Sequence, residues 1–206
     1  MFNLTDEFLT KTDVKGDVDE LKNSLRHILQ FTNWPAPPAS PMLLNTISIN
    51  LKRTDRTPTN QQWSGLSGRI RHPDTGRSFV AQQEYTIWNE KVPKYIRKLV
   101  AKLETAYQFQ SGRVRLSNLP PMVCLRTHSD LEQRFHLAIT TNPDVFFYNN
   151  TYQSQSSRQF SGFGYHIPVD GFFYKANTYL AHTAINSGDS DRIHLVVDIV
   201  PSDQLQ

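Results

Sequence analysis

The stretch RTHSDLEQRFHLAI, from Arg126 to Ile139, places two histidines, two carboxylates and two arginines within fourteen residues. Residues two apart face the same side of a β-strand, so His128 and Asp130 point one way if this stretch is extended. By the same rule Arg134 and His136 share a face, and the apolar residues that alternate with them face the other way. The pattern predicts a strand whose apolar side faces a core and whose polar side faces water or an ion.

A second group of functional side chains lies downstream in AHTAINSGDSDRIHLVVDIV, from Ala181 to Val200. His182 ends one predicted strand, and Arg192 begins the next strand ten residues later. Two neutral imidazoles and one carboxylate on one face are the ligand set of non-haem iron(II) oxygenases. Three protein ligands leave positions for a bidentate cosubstrate and dioxygen, and a buried arginine can hold the cosubstrate's far carboxylate in a fork. The order of these residues therefore indicates a metal site.

Each of these residues also has a simpler interpretation. A His-x-Asp pair alone is a weak signal for a metal, and His182 alone could be a hydrogen-bonded core histidine. Arg192 could be a surface residue in a modest salt bridge, and Arg134 could be solvated. We expect His194 to be an exposed strand residue. We expect Cys124 to be buried packing, because no activating base is adjacent to it in sequence.

Two amphipathic helices are predicted before residue 110. Asp17–Phe31 carries leucine and isoleucine at helical spacing, and Val92–Phe109 has a stripe of tyrosine and leucine. Between them, Asn33–Pro41 holds four prolines in nine residues, which predicts a connector and not a helix. Leu43–Leu51 alternates enough to be a strand. We expect residues 1–110 to form a helical and mixed region that packs on the core, within one compact domain.

Residues 111–206 change to a pattern of period two. Seven segments read as short strands, most of them separated by turn residues: 113–119, 123–128, 134–140, 144–150, 171–177, 178–186 and 192–200. So many short strands in about ninety residues are typical of a β-sandwich or jelly roll. The polar Ser/Gln-rich segment Asn149–Gly164 could be a flexible loop over a pocket.

The composition limits the class of protein. The 206 residues, of which 38% are hydrophobic and 20% charged, suffice for one domain with a substantial core. The single cysteine excludes an internal disulfide and a cysteine-rich zinc site. The N-terminus does not resemble a signal peptide, and no apolar run approaches a membrane span, so we expect a cytoplasmic protein. The net charge of +3 makes a nucleic-acid partner unlikely, although basic residues in Leu51–Pro73 leave that alternative open.

Three motifs resemble the aspartyl/asparaginyl β-hydroxylase family of 2-oxoglutarate-dependent dioxygenases, which includes bacterial proline hydroxylases. They are RLSNLPPMVCLRTHSD, RFHL and HTAINSGDSDRIHLVVDIV, in the family's order. The resemblance covers Arg113 to Val200. It implies a mainly β fold with flanking helices, the double-stranded β-helix (a cupin-like jelly roll), together with Fe(II), 2-oxoglutarate and O₂.

The resemblance also implies an iron site. His128 and His182 would ligate the metal, and Asp130 would supply the carboxylate. Some animal members of the family lack this carboxylate, so the chain looks closer to the proline-hydroxylase type. The carboxylate also argues against a halogenase, which needs that position free for chloride.

For the cosubstrate, the resemblance implies that Arg192 binds the distal carboxylate of 2-oxoglutarate, with Ser117 as a helper. His136 would contact the carboxylate nearest the metal. Arg134 would lie beside it or reach a carboxylate of the substrate. The first 110 residues match no motif of the family.

The implied reaction is hydroxylation of an unactivated C–H of an amino acid, with release of succinate and CO2. The amino acid would be free, as proline is, or an Asp or Asn within a peptide or protein. Two alternatives remain: a non-catalytic jelly-roll binding module, and a 2-oxoglutarate oxygenase that modifies nucleic acid.

Overall fold

The computed structural model describes residues 8–34, 45–52, 69–71, 78–80, 82–152 and 160–201. The two α-helices are α1 (Val18–Ile28) and α2 (Lys94–Tyr107), and Gln82–Glu84 forms a short 3-10 turn. The strands are β1 Leu9–Lys15, β2 Asn45–Ser48, β3 Asn50–Lys52, β4 Arg69–Arg71, β5 Ser78–Val80, β6 Tyr85–Trp88, β7 Ser111–Leu119, β8 Val123–Cys124, β9 Arg134–Thr140, β10 Val145–Tyr152, β11 Phe160–Tyr165, β12 Phe172–Ala176, β13 His182–Asn186 and β14 Arg192–Ile199.

Two antiparallel sheets form the body of the molecule. The larger has six strands in the order β1-β12-β9-β14-β7-β2, and the smaller has four in the order β11-β10-β13-β8. Side chains from both sheets meet in one cluster that includes Ala138 of β9, Phe147 of β10 and Tyr174 of β12. The sheets therefore face each other, and the predicted mainly β jelly roll with flanking helices is confirmed.

The helices cover the outer face of the six-stranded sheet. Asp17 caps α1 by accepting hydrogen bonds from the amides of Asp19 and Glu20, and Gln108 in the left-handed conformation ends α2. The main core combines apolar residues of both helices with the outward-facing residues of the central strands: Leu21, Leu25, Ile28, Ile96, Leu99, Val100, Leu103, Val114, Leu116, Phe135, Leu137, Ile139, Ile193, Leu195 and Val197. The alternate residues of those strands face inward, toward the smaller sheet.

Some predicted elements differ from the structure. The Ser/Gln-rich segment Asn149–Gly164 is not simply a loop, because β10 continues to Tyr152 and β11 begins at Phe160; residues 153–159 lie outside the described residues. Cys124 is exposed, so the expectation that it is buried was wrong. It lies on β8, which pairs with only one neighbouring strand.

The region before residue 110 supplies strands as well as helices. β1 and β2 form the two edges of the six-stranded sheet. Most of Asn33–Pro41 and most of Leu51–Pro73 lie outside the described residues. The division into residues 1–110 and 111–206 stays a prediction. Among the described helices, none is long and apolar enough to span a bilayer.

Candidate active site

One pocket between the two sheets collects most of the residues that the sequence singled out. Six of the seven predicted site residues line it: Ser117, His128, Arg134, His136, His182 and Arg192. The seventh, Asp130, lies at its edge in a cluster with two of these histidines. Arg115 and Phe147 also line the pocket, and the sequence analysis missed both.

His128, Asp130 and His182 come together at one end of this pocket. Their ligand atoms all lie within 4.8 Å of one another. The backbones of the two histidines form an isolated β-bridge, in which each amide donates to the other's carbonyl at 3.0 and 2.8 Å. This bridge fixes the two imidazoles side by side, with ring centroids 4.5 Å apart.

The protonation of both rings follows from their hydrogen bonds. Nδ1 of His128 lies 2.7 Å from the carbonyl oxygen of Arg126, and Nδ1 of His182 lies 2.8 Å from that of Leu180. A carbonyl oxygen can only accept, so each Nδ1 carries a proton, and in the neutral ring the lone pair is on Nε2. Burial lowers the pKa of His182 to about 4, which keeps this imidazole neutral at physiological pH.

The Asp130 carboxylate faces both lone pairs. Nε2 of His128 lies 3.9 Å from its Oδ1, and Nε2 of His182 lies 3.5 Å from its Oδ2. These separations are too long for hydrogen bonds, and a lone pair has no attraction for a carboxylate oxygen. A cation bound by all three groups would satisfy them, so the donor set fits a divalent metal such as iron(II).

Arg192 lies at the other end of the pocket and is only 1% exposed. One of its terminal nitrogens donates to Nδ1 of His194 at 3.0 Å, and its Cζ lies 5.3 Å from the centre of the Phe147 ring. Within the described part of the chain, no carboxylate forms an ion pair with Arg192. Burial, and then the charge of Arg115, lower the pKa of Arg192. This end of the pocket therefore holds a buried cation that lacks an anionic partner.

Two buried histidines lie near that cation. Both ring nitrogens of His136 and Nε2 of His194 have no hydrogen-bond partner among the described residues. Burial and the charge of Arg192 lower the pKa of both histidines well below the usual range, so both rings are neutral. The expectation that His194 is exposed was wrong, because β14 lies between β9 and β7 and the facing sheet covers it. Ser117 pairs directly with His194 in the sheet.

Arg134 is partly buried and is surrounded by carboxylates. Its Nη1 lies 2.5 Å from Asp130 Oδ2, its Nη2 lies 2.9 Å from Glu132 Oε1, and its Nε lies 3.0 Å from Asp198 Oδ1. The alternative in which Arg134 is solvated is therefore wrong. Each of its three nitrogens already faces a carboxylate.

Asp198 is the centre of a buried charge cluster that the sequence analysis did not identify. Besides Arg134, it pairs with Arg113 at 3.4 Å and with Nη1 of Arg115. Burial alone would raise the pKa of Asp198, but Arg115, Arg134 and Arg113 together lower it. One sequence signal was available, since Asp198 shares its face of β14 with Arg192.

Several solved structures share the architecture of this chain. A 2OG-Fe(II) oxygenase family oxidoreductase from Burkholderia pseudomallei is 10% identical over 94% of this chain and 85% of its own, with a TM-score of 0.57. The non-heme alpha ketoglutarate dependent carbocyclase SnoK from nogalamycin biosynthesis is 10% identical over 95% and 81%, with a TM-score of 0.58. A Pseudomonas putida prolyl-4-hydroxylase is 12% identical over 96% and 94%, with a TM-score of 0.50. At these identities the likeness shows the fold alone.

The family of the chain is identified from its sequence. A comparison with curated protein sequences found no match. The family model for aspartyl/asparaginyl beta-hydroxylase matches residues 78–201, which include every predicted site residue. The chain therefore belongs to the aspartyl/asparaginyl β-hydroxylase family of 2-oxoglutarate-dependent oxygenases.

Proposed function

We propose that this protein is an Fe(II)- and 2-oxoglutarate-dependent dioxygenase that hydroxylates an unactivated C–H of an amino acid, either free and proline-like or within a peptide or protein. The observation that carries the proposal is the presence of two complementary features in one pocket. Three ligand atoms that fit a divalent cation lie at one end, and a buried arginine with no carboxylate partner among the described residues lies at the other. Iron would bind the first, and the distal carboxylate of an iron-bound 2-oxoglutarate would pair with the second.

His128, Asp130 and His182 would hold the iron. When bound, iron and 2-oxoglutarate supply the oxidising chemistry, in which dioxygen and 2-oxoglutarate yield succinate and CO2 as the substrate is hydroxylated. The protein's own contribution at this end is to present two neutral Nε2 lone pairs and one carboxylate oxygen. The carbonyls of Arg126 and Leu180 keep both rings in the tautomer that the metal needs.

Arg192 would bind the distal carboxylate of 2-oxoglutarate. Its guanidinium is fixed by His194 and buried against Phe147, so an incoming carboxylate would meet an oriented fork with little competition from water. Ser117 lies opposite His194 in the sheet and would add a hydroxyl at the same end. His136, with both ring nitrogens unpartnered, would donate to the carboxylate nearest the metal.

The Phe147 side chain would exclude water from both ends of the pocket. Its ring stacks on His182 with centroids 6.2 Å apart, and it meets the His136 ring in a T-shaped contact with centroids 4.8 Å apart. The same ring lies beside Arg192. An apolar surface in contact with all three polar residues excludes water from the charges and strengthens their interaction with a bound anion.

The family supports an amino-acid substrate, and free proline and Asp- or Asn-containing peptides are the first compounds to test. The experiment is oxygen-dependent release of succinate from 2-oxoglutarate with each compound, in the wild type and in His128→Ala. We expect one class to stimulate succinate release in the wild type alone, with a product heavier by one oxygen atom. Full activity in His128→Ala would overturn the iron assignment.

A binding module that has lost its chemistry is the second candidate. It would be favoured by a missing iron ligand or a missing arginine, and all of these residues are present in this chain. We also propose a cytoplasmic location, which rests on the sequence alone.

A further inference from the structure

We infer that Arg134 is a positioning residue that holds the iron carboxylate Asp130, and that Asp198 and Glu132 anchor Arg134 from behind. The inference rests on the proposed function, because it assigns Asp130 to the metal. It gives a role to three charged residues, Arg134, Glu132 and Asp198, that iron and 2-oxoglutarate do not need as direct ligands.

Asp130 needs such support because of its place in the chain. It lies in the irregular segment between β8 and β9, where its amide donates to the carbonyl of Thr178 at 2.8 Å. That hydrogen bond fixes the backbone and leaves the side chain free to rotate. Arg134 restricts this freedom through an ion pair, because its Nη1 lies 2.5 Å from Oδ2. Oδ2 also lies 3.5 Å from Nε2 of His182, and Oδ1 lies 3.9 Å from Nε2 of His128. The ion pair thus orients the carboxylate with one oxygen toward each histidine.

Arg134 is itself fixed on its two remaining sides. Nη2 donates a hydrogen bond to Glu132 at 2.9 Å, and Nε forms an ion pair with Asp198 Oδ1 at 3.0 Å. A planar guanidinium can face three carboxylates at once, whereas the ammonium group of a lysine is a single point charge.

A residue from the region before residue 110, Gln82, contacts both Asp198 and Glu132. Gln82 is fully buried, and its side-chain amide donates to Asp198 Oδ2 at 3.2 Å and to Glu132 Oε1 at 3.3 Å. Its carbonyl accepts the amide of Arg113 at 2.8 Å. One neutral side chain therefore bridges the two carboxylates that hold Arg134 in place.

The test measures metal affinity without 2-oxoglutarate, by titrating Co(II) into the whole protein under calorimetry. Arg134→Lys keeps the positive charge and loses the fork, so it changes geometry and not net charge. We expect Co(II) to bind about 10- to 100-fold more weakly, the range for residues that orient metal ligands. Once Co(II) is saturating, we expect 2-oxoglutarate to bind as it does to the wild type.

A second, neutral variant covers the case in which Arg134→Lys does not fold. Gln82→Met keeps the length of the side chain and removes the bridging amide, and we expect a smaller loss of Co(II) affinity, of less than about 10-fold. The matched control is Lys11→Met, which removes the exposed ion pair with Asp170 on the outside of the molecule. Its Co(II) affinity should equal that of the wild type.

The outcomes separate this inference from the proposed function. Wild-type Co(II) affinity in both folded variants, with weaker 2-oxoglutarate binding in Arg134→Lys, would overturn the positioning role and assign Arg134 to the cosubstrate. A folded wild type that binds no Co(II) would overturn the proposed function, and this inference with it.

Discussion

The two ends of the pocket each hold an arginine, and the two arginines have opposite electrostatic surroundings. Arg134, at the metal end, faces a carboxylate on each of its three nitrogens. Arg192, at the other end, has a neutral histidine as its hydrogen-bond partner and no carboxylate within the described residues. One arginine is paired with carboxylates within the fold, and the other has only a neutral side-chain partner there.

The strand register explains this difference. Both arginines project from the inner face of the six-stranded sheet, where Asp198 of β14 pairs directly with Arg134 of β9. Arg192 pairs with Leu119 of β7, which brings no charge. A buried charge without a partner is costly, so a fold that keeps one is suited to bind an ion of opposite sign. The comparison indicates that an arginine without a carboxylate partner, and not the number of arginines, shows where an anionic ligand would bind.

The largest effect is expected at the metal end. His182→Ala removes one of three metal ligands, and we expect Co(II) affinity to fall by more than about 100-fold, beyond the loss typical of residues outside the ligand set. Turnover should be abolished. Calorimetry with Co(II) and a succinate-release assay measure the two effects. Activity that persists in His182→Ala would remove this histidine from the metal site.

The free energy of unfolding of the ligand-free protein should distinguish the surroundings of Arg134 from those of Arg192. Asp198→Asn removes the buried carboxylate that three arginines share, and we expect the free energy of unfolding to fall by about 3–5 kcal/mol. Arg192→Met removes an unpaired buried cation, so the free energy of unfolding should equal or exceed that of the wild type. Urea denaturation of the metal-free proteins measures both. The comparison would fail if Arg192→Met were the more destabilising change.

The affinity for 2-oxoglutarate should depend strongly on Arg192, whose loss is not expected to destabilise the fold. We expect Arg192→Ala to raise the Kd of 2-oxoglutarate at least about 30-fold, which corresponds to about 2 kcal/mol, the lower end for truncating one partner of a buried charge pair. Co(II) affinity without 2-oxoglutarate should not change. Titration of 2-oxoglutarate into the Co(II)-loaded proteins tests this. Equal affinity in the two proteins would place the distal carboxylate elsewhere.

The smallest effect is a dependence of stability on pH. Because its arginine neighbours lower the pKa of Asp198, this residue contributes stability that is fully present above the unfolded-state pKa of about 3.9 and is lost as the pH falls below it. Burial and Asp198 raise the pKa of Glu132, which acts with the opposite sign. We therefore expect the difference in unfolding free energy between wild type and Asp198→Asn to shrink below about pH 4. A constant difference down to pH 2 would contradict the ion pairs.

Much of the fold follows from local patterns in the sequence. The strict alternation in RFHLAIT and RIHLVVDI identifies β9 and β14 and separates their inner from their outer faces. The missed strands have weaker patterns. β1 is an edge strand that leaves several polar residues exposed, and β11 contains two glycines beside a polar stretch.

The partners of the inward-facing residues could not be predicted in the same way. Alternation indicates that Asp198 and Arg192 share a face, but the strand order and register that bring Arg134 and Arg115 to Asp198 depend on contacts between distant segments. The burial of His194 likewise depends on the central place of β14 in the sheet. The proposed iron ligands could be selected from the sequence because their types and order carry the chemistry, whereas the charge cluster behind them is visible only in three dimensions.

The most direct test of the central claim is the visible spectrum of the protein with Fe(II) and 2-oxoglutarate in the absence of oxygen. An iron-bound 2-oxoglutarate chelate gives a weak metal-to-ligand charge-transfer band. We expect the band in the wild type, no band in His182→Ala, and a band in Arg192→Ala only at much higher 2-oxoglutarate concentration. A folded wild type that gives no band would contradict an iron and 2-oxoglutarate site and favour a binding module.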